Sequence, residues 1–308
     1  MADGTFDAPR FTDDDAAREH LEAIRWPDGP VCPHCGGTQR NSRLNGKSHR
    51  VGLLFCGDCR EQFSVTVGTL FERSKVPLHK WVLATHLLCS SKKGISSHQL
   101  HRTLGVTYKT AWFMSHRIRE AMRSGDFAPF GEGGGAVEVD ETFIGNDPDK
   151  PGGKRGHSKN KVLALVDRKT GRARAMIIDN IDWETVRPIL LENLSHEARV
   201  MTDEGTHYNS VGVYFADHQT VNHSAKEYVR LSDRAVHSNT VEGYFSIFKR
   251  GMKGVYQHCG KQHLHRYTAE FDFRYSNRAK LGVDDSQRAD RALKGISGKR
   301  LTYRRIGA

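Results

Sequence analysis

Apolar and polar positions alternate with a changing period along this chain, and each change of period marks an element. Val137 and Val139 alternate with polar neighbours before Asp140, as Val200 and Thr202 do before Asp203, so each acid closes a half-buried strand. KVLALVD, residues 161–167, is a continuous apolar run of the kind a strand covered on both faces carries, and a KTG turn separates it from a second strand, ARAMIID. WETVRPILLENLS then predicts a helix with Asp182 as its N-cap. After the strand of Asp203, HQTVNHS is strand-like and HSNTVEGYFSIFKRG is helical. Nearer the N-terminus, Leu78 to Ser90 predicts a helix. Ser96 can cap a short helix holding Leu100 and Leu104, Gly105 permits a turn, and Thr107 caps a second helix whose apolar positions are Ala111, Met114, Ile118 and Met122.

Three consecutive strands, a helix, a strand, a further strand and a closing helix make up the ribonuclease-H-like order. It places Asp140 on the first strand, Asp203 on the fourth and Glu242 on the last helix. Lys249 follows Glu242 by seven residues, nearly two turns, and so shares its helix face. With 36 Asp and Glu in the chain, some acidic triple can always be assembled, and it is the element order that lifts this one above chance. Carboxylates gathered from separate elements repel unless divalent cations lie between them. Two such cations about 4 Å apart activate an attacking oxygen and stabilise a leaving one in phosphodiester chemistry.

Charge changes the picture of the first half. The 308 residues carry a net charge of +11, and residues 40–119 alone hold 14 Lys and Arg against 3 acids, a surplus equal to that of the whole chain. Residues 1–39 are acidic, with 3 Arg against 8 acids. A clustered basic surplus and a pI near 9.4 point to a polyanion, with nucleic acid the first candidate. The acidic N-terminus lacks the apolar core of a signal peptide, and WVLATHLLC is too short to span a bilayer, so a cytoplasmic protein is expected.

Cys32, Cys35, Cys56 and Cys59 form two C-x-x-C knuckles with 20 residues between them, the spacing of a zinc ribbon. Four inward thiolates close a tetrahedral structural Zn²⁺ site; His34 is expected to face solvent, and Cys89 and Cys259 to be packing residues. The two helices that follow could be a plain helical hairpin, but the basic surplus and the adjacent ribbon favour a DNA-binding helix-turn-helix, in which Tyr108, Lys109, Thr110, Ser115, His116 and Arg117 are left over from the apolar face. The first of them are placed to reach base edges and the later basic ones to hold phosphate.

VDETFIG, the Gly-rich KRG loop, KNKVLALVDR, VMTDE, HSNTVEGYFSIFKRG and HLHRYTAEFDFRYSNR resemble the catalytic domain of ISXO-like insertion-sequence transposases, members of the DDE superfamily. The resemblance extends over the N-terminal half from about Pro30 through Met122. It implies a nucleoid-associated DNA transposase whose ribbon and helix-turn-helix bind terminal inverted repeats, and whose Asp140 and Asp203 hold two Mg²⁺ with Glu242 completing the set. The family's third position is Glu or Asn, and Asn239 lies one turn from Glu242. A third carboxylate offsets the charge of two cations where an amide does not, which favours Glu242. Joining paired ends to target DNA implies a dimer or larger assembly on double-stranded DNA.

The expected fold is therefore a multidomain α+β chain: residues 1–29 a helical segment, 30–76 the zinc ribbon, 77–124 the helix-turn-helix, 125–135 a Gly-rich linker, 136–278 the ribonuclease-H-like mixed-sheet domain and 279–308 a basic tail. Two other functions remain open. A non-catalytic regulator derived from a transposase would use only the basic half, and the presence of all three acids speaks against it. A tyrosine recombinase would need His263 and Arg266 as H-x-x-R with Tyr303 following, but so short a motif arises easily among 47 Lys and Arg.

Overall fold

The computed structural model describes residues 5–123, 125, 128–150, 158–225, 227 and 229–302. The chain divides into two units, and the first is built from both of its ends: Met1–Ser91, Ile95–Met122 and Asp284–Ala308. Helix α1, Asp14–Arg25, starts where the Asp13 carboxylate accepts from Ala16 N at 2.8 Å. Strands β1 (Asn41–Arg43), β2 (Leu54–Cys56) and β3 (Gln62–Phe63) pair antiparallel in that order. Helix α2, Leu78–Ser90, buries Trp81, Val82, Ala84, Leu88 and Cys89, and a helix apolar around so much of its circumference must lie inside its unit. Helices α3, Ser97–Leu104, and α4, Tyr108–Met122, follow. Ser96 caps α3 through Gln99 N, and Gly105 turns the chain at φ +58°.

Within the segment expected as a basic tail, the described residues 279–302 include a helix. Asp284 and Gln287 form a capping box that opens α8, Asp285–Lys294, which packs on α2 and α4. Arg288, Ala289, Ala292 and Leu293 supply its buried stripe, and the Arg288 guanidinium donates to Cys89 O at 3.0 Å. Beyond it, Leu70 N donates to Ile296 O and Gly298 N to Gly68 O, and Lys299 Nζ reaches the last carbonyls of α4. Only a short apolar stripe marks this segment in an otherwise charged sequence.

Unit 2 comprises Lys92–Gly94 and Arg123–Val283. Its five strands are β4 (Ala136–Ile144), β5 (Asn160–Asp167), β6 (Ala173–Ile178), β7 (Arg199–Thr202) and β8 (Asp217–Thr220), ordered β6-β5-β4-β7-β8. β4 and β6 flank β5 antiparallel, while β4, β7 and β8 run parallel. β5 is buried at every position and alternates between two cores. Leu163 and Leu165 meet Val186 and Leu190 of α5, Trp183–Asn193. Val162, Ala164 and Val166 meet α6, Asn239–Gly251, and α7, Lys261–Ser276. This is the ribonuclease-H-like arrangement of a mixed sheet with helices on both faces.

Asp182 caps α5 as expected, accepting from Thr185 N at 2.8 Å. Phe130, in the stretch expected as a linker, is instead buried in the α5-side core and bridges Leu194. An apolar side chain with a core within reach does not stay in solvent. Most of the basic Gly-rich loop, 151–157, and Tyr303 lie outside the described residues.

Two glycines of α6 separate backbone propensity from packing. A Cβ on Gly251 would stand 2.4 Å from Phe271 Cζ and 2.7 Å from Lys93 O, whereas one on Gly243 meets nothing within 4 Å. Gly251→Ala is expected to destabilise unit 2 by about 1–3 kcal/mol through overpacking. Gly243→Ala should stabilise it by roughly 0.5–1 kcal/mol through helix propensity. Denaturant titration of the two variants checks the opposite signs.

Candidate functional site

Parallel pairing of β4 with β7 sets Ala136 beside Arg199, Val137 beside Val200 and Glu138 beside Met201. Carried on by two residues, that register sets Asp140 beside Asp203, just past the end of β7 where β4 continues along β5 alone. The carboxyl ends of parallel strands are where α/β sheets leave a crevice. Asp140 Oδ1 accepts from Glu141 N at 2.7 Å, and Asp203 Oδ1 from Gly205 N at 2.9 Å.

Glu141, absent from the sequence-derived set, joins the two aspartates: one oxygen from each of the three carboxylates lies within 4.8 Å of the others. Adjacent strand residues leave opposite faces, so Glu141 starts on the α5 side. There Tyr208 Oη donates to its Oε2 at 2.7 Å, and His207 Nε2 lies 3.4 Å from the same oxygen. Burial first, then the charge of Glu141 with smaller contributions from Asp203 and Glu242, pushes the Asp140 carboxyl up to about 8. Burial and Glu141 raise Asp203 as well. Asp203 follows the end of β7 as its alternating run predicts, whereas Asp140 does not close its strand, because β4 runs on to Ile144 along β5; an Asp-Glu pair stands at both places, yet the second Glu behaves differently. Glu204 accepts from Ser224 Oγ at 2.6 Å and from the Ser224 and His223 backbone N–H groups, which hold its carboxyl at about 2 and tie it to the loop after β8.

Glu242 lies in the first turn of α6, outside the close set among the described residues, although its charge is felt at Asp140. Its Oε1 accepts from Ser238 Oγ at 3.0 Å and stands 3.3 Å from His223 Nε2. Asn239, the first residue of α6, is exposed, and Lys249 is half-buried two turns beyond Glu242. Three hard oxygen donors, one of them raised by burial and by the charge of its neighbours, suit a divalent cation such as Mg²⁺.

In unit 1 the four ribbon cysteines converge. Sγ of Cys32 lies 3.6 Å from that of Cys59, and Sγ of Cys35 lies 3.6 Å from that of Cys56. Disulfide sulfurs would be about 2.05 Å apart, whereas a tetrahedral Zn²⁺ site holds its sulfurs roughly 3.8 Å apart. The backbone N–H of Cys59, followed by that of Asp58, draws the Cys56 thiol down to about 7, while burial and the neighbouring thiols push Cys59 up to about 12, so in the absence of a cation the cluster holds its protons unevenly. The set therefore fits a thiolate-bound Zn²⁺.

The candidate DNA-reading residues of α4 divide. Thr107 caps the helix through Thr110 N at 3.1 Å, and Tyr108 is exposed with its ring stacked 4.3 Å from that of His98. Lys109 is exposed and Thr110 half-buried. His116 and Ser115, by contrast, are buried, His116 against the Trp112 ring at 4.1 Å. Arg117 lies over the Phe113 ring at 4.5 Å and donates to Leu301 O at 3.2 Å. α4 packs on α2, α3 and α8, so the face assigned to DNA at His116 and Arg117 is a packing face.

Residues 133–276 match the ISXO2-like transposase domain, and residues 12–62 match the transposase zinc-ribbon domain. Over 281 residues the chain is 30% identical to an uncharacterized protein in transposable element ISH50 of Halobacterium salinarum, covering 86% of this chain and 91% of that protein. Among solved structures, a chain of the simian T-cell lymphotropic virus intasome in complex with PP2A regulatory subunit B56 gamma is 13% identical. It covers 63% of this chain and 65% of that one at a TM-score of 0.29, a likeness too low to carry a structural argument.

Two outcomes test these centres. Between pH about 4 and 8 the folded protein keeps a proton on Asp140 that the unfolded chain has released, so metal-free stability falls as pH rises through that window. Cation binding displaces that proton. The rise in melting temperature at a fixed Mg²⁺ concentration is therefore expected to be larger above pH 8 than near pH 6, and to vanish in Asp140→Asn. Purified protein is further expected to carry one Zn²⁺ per chain. Cys56→Ser should remove it and melt the ribbon while the transition of unit 2 persists, as elemental analysis and calorimetry would record.

Proposed function

The chain belongs to the ISXO2-like insertion-sequence transposase family, and from that membership we propose that it cuts and joins DNA at the ends of its element by divalent-cation-dependent phosphodiester chemistry. The observation that carries this is the convergence of Asp140, Glu141 and Asp203 where β4 outruns β7, with Asp140 pushed up to about 8 by burial and then by the charge of Glu141. Asp140, Asp203 and Glu242 would hold two Mg²⁺, which supply neutralisation of the scissile phosphate and activation of the attacking oxygen. Glu141, fixed by Tyr208, adds a further carboxylate at the Asp140 side. Water attacks phosphorus and the P–O3′ bond breaks, leaving a 3′-hydroxyl at the element end. That hydroxyl then attacks a phosphodiester of the target, displacing the target's own 3′-oxygen. No covalent bond to the protein forms. Lys249 is assigned a phosphate near the scissile bond.

The ribbon and the α3–α4 pair of unit 1 would bind the terminal inverted repeats, with Tyr108, Lys109 and Thr110 nearest the bases. The surplus of cationic side chains in residues 40–119 supports a phosphate-dominated contact. Paired ends call for two or more copies on DNA. Among the described residues no helix is long and apolar enough to cross a membrane, and a cytoplasmic location at the nucleoid is the corresponding proposal.

Asp140→Ala and Asp203→Ala are expected to lower Mg²⁺-dependent strand cleavage by orders of magnitude while leaving binding to element ends intact. Binding itself should weaken steeply between low and physiological salt. Glu242→Gln should be nearly inactive and Asn239→Ala only impaired. Cleavage assays and gel shifts on fragments carrying the element's ends check each, and the reverse order of the last pair would assign the third position to Asn239.

A further inference from the structure

We infer that Glu138 is a positioning residue: it caps α6 from the neighbouring strand, and thereby leaves Ser238, the helix's own N-cap residue, to hold Glu242 toward the carboxylate cluster. Glu138 is completely buried in β4, two residues before Asp140 and on the same face. Its Oε2 accepts from Thr240 N at 2.7 Å and Val241 N at 2.8 Å, two of the N–H groups that the start of a helix leaves without intrahelical partners. Its Oε1 accepts from Arg168 Nε at 2.5 Å. The same guanidinium donates to Ala235 O and to His237 O, so it fastens the segment that leads into α6.

Ser238 occupies the N-cap position and makes no capping bond. Serine there ordinarily accepts from the backbone two or three residues on. Here its hydroxyl donates to Glu242 Oε1 at 3.0 Å and lies 3.1 Å from His223 Nε2. A buried carboxylate at a helix N-terminus is favoured by the helix dipole as well as by the two N–H groups. The first turn of α6 is thus bolted to the strand that carries Asp140, at a distance set by one side chain. A carboxylate needed only for folding would stabilise the unit without acting through Glu242.

This inference rests on the assignment of Glu242 to the cation site, and the test separates the two. Mn²⁺ binding to the full-length chain is measured by calorimetry in Glu138→Gln, Glu242→Gln and the double variant, with melting temperatures in EDTA recorded alongside. Glu138→Gln is expected to weaken Mn²⁺ binding about tenfold when Glu242 is present, and less than about twofold when Glu242 is already Gln, because the two substitutions interrupt one chain of contacts. Equal factors in both backgrounds, or no effect of Glu138→Gln on Mn²⁺, would overturn the inference and leave Glu138 a residue of the fold. Ser238→Ala, which leaves the Glu138 bonds to α6 intact, runs through the same cycle should Glu138→Gln fail to fold, with the same two results deciding. Unchanged Mn²⁺ binding in Glu242→Gln alone would remove Glu242 from the cation site, and the inference with it.

Discussion

The parallel register of β4 against β7 is the constraint on which the acidic site depends. A shift of one residue would turn every side chain of a strand to the opposite face, so the pairing is fixed by Val137, Val139 and Val200, all buried in the α5-side core. Once that apolar pairing is made, Asp140 and Asp203 are carried side by side to the point where β7 ends and β4 continues, whatever their own preference. Hydrophobic burial therefore bears the cost of gathering like charges, and the raised Asp140 carboxyl records it.

Around this pair the protein uses its carboxylates in three ways. Glu204 and Glu138 are engaged by backbone N–H groups and fix the course of the chain, one behind β8 and the other at the start of α6. Glu141 is held by a buried tyrosine hydroxyl and stays in the cluster. Glu242 comes from the first turn of α6, where its carboxylate accepts from the Ser238 hydroxyl and stands beside His223. Local chemistry, rather than residue type, separates framework from site.

Much of this was legible in the order of residues. Asp140 and Asp203 stood at the ends of alternating runs, the four cysteines announced their own geometry by spacing, and the caps Ser96, Thr107 and Asp182 are where helix-start chemistry put them. Glu141 was missed because strand periodicity argues against neighbours sharing a site. Only the reach of a glutamate side chain overcomes that, and the repeated Asp-Glu pair is the one hint in the sequence. His116 and Arg117 were misplaced for a different reason. His116 is buried against Trp112 of its own helix, and Arg117 lies over Phe113 and donates to Leu301 O, a partner 184 residues later that no local pattern announces.

That distance along the chain has a temporal side. The helical unit needs Leu293, Ala292 and the pairing of Ile296 with Leu70, so it cannot be completed until nearly the whole chain has left the ribosome. The sheet unit, apart from Lys92–Gly94, is one uninterrupted stretch and has all of its strands beforehand. Although it holds the N-terminus, the helical unit is thus the later of the two to have all of its residues made. A chain cut short before Asp284 would keep every strand of the mixed sheet but lack the helix that packs on α2 and α4.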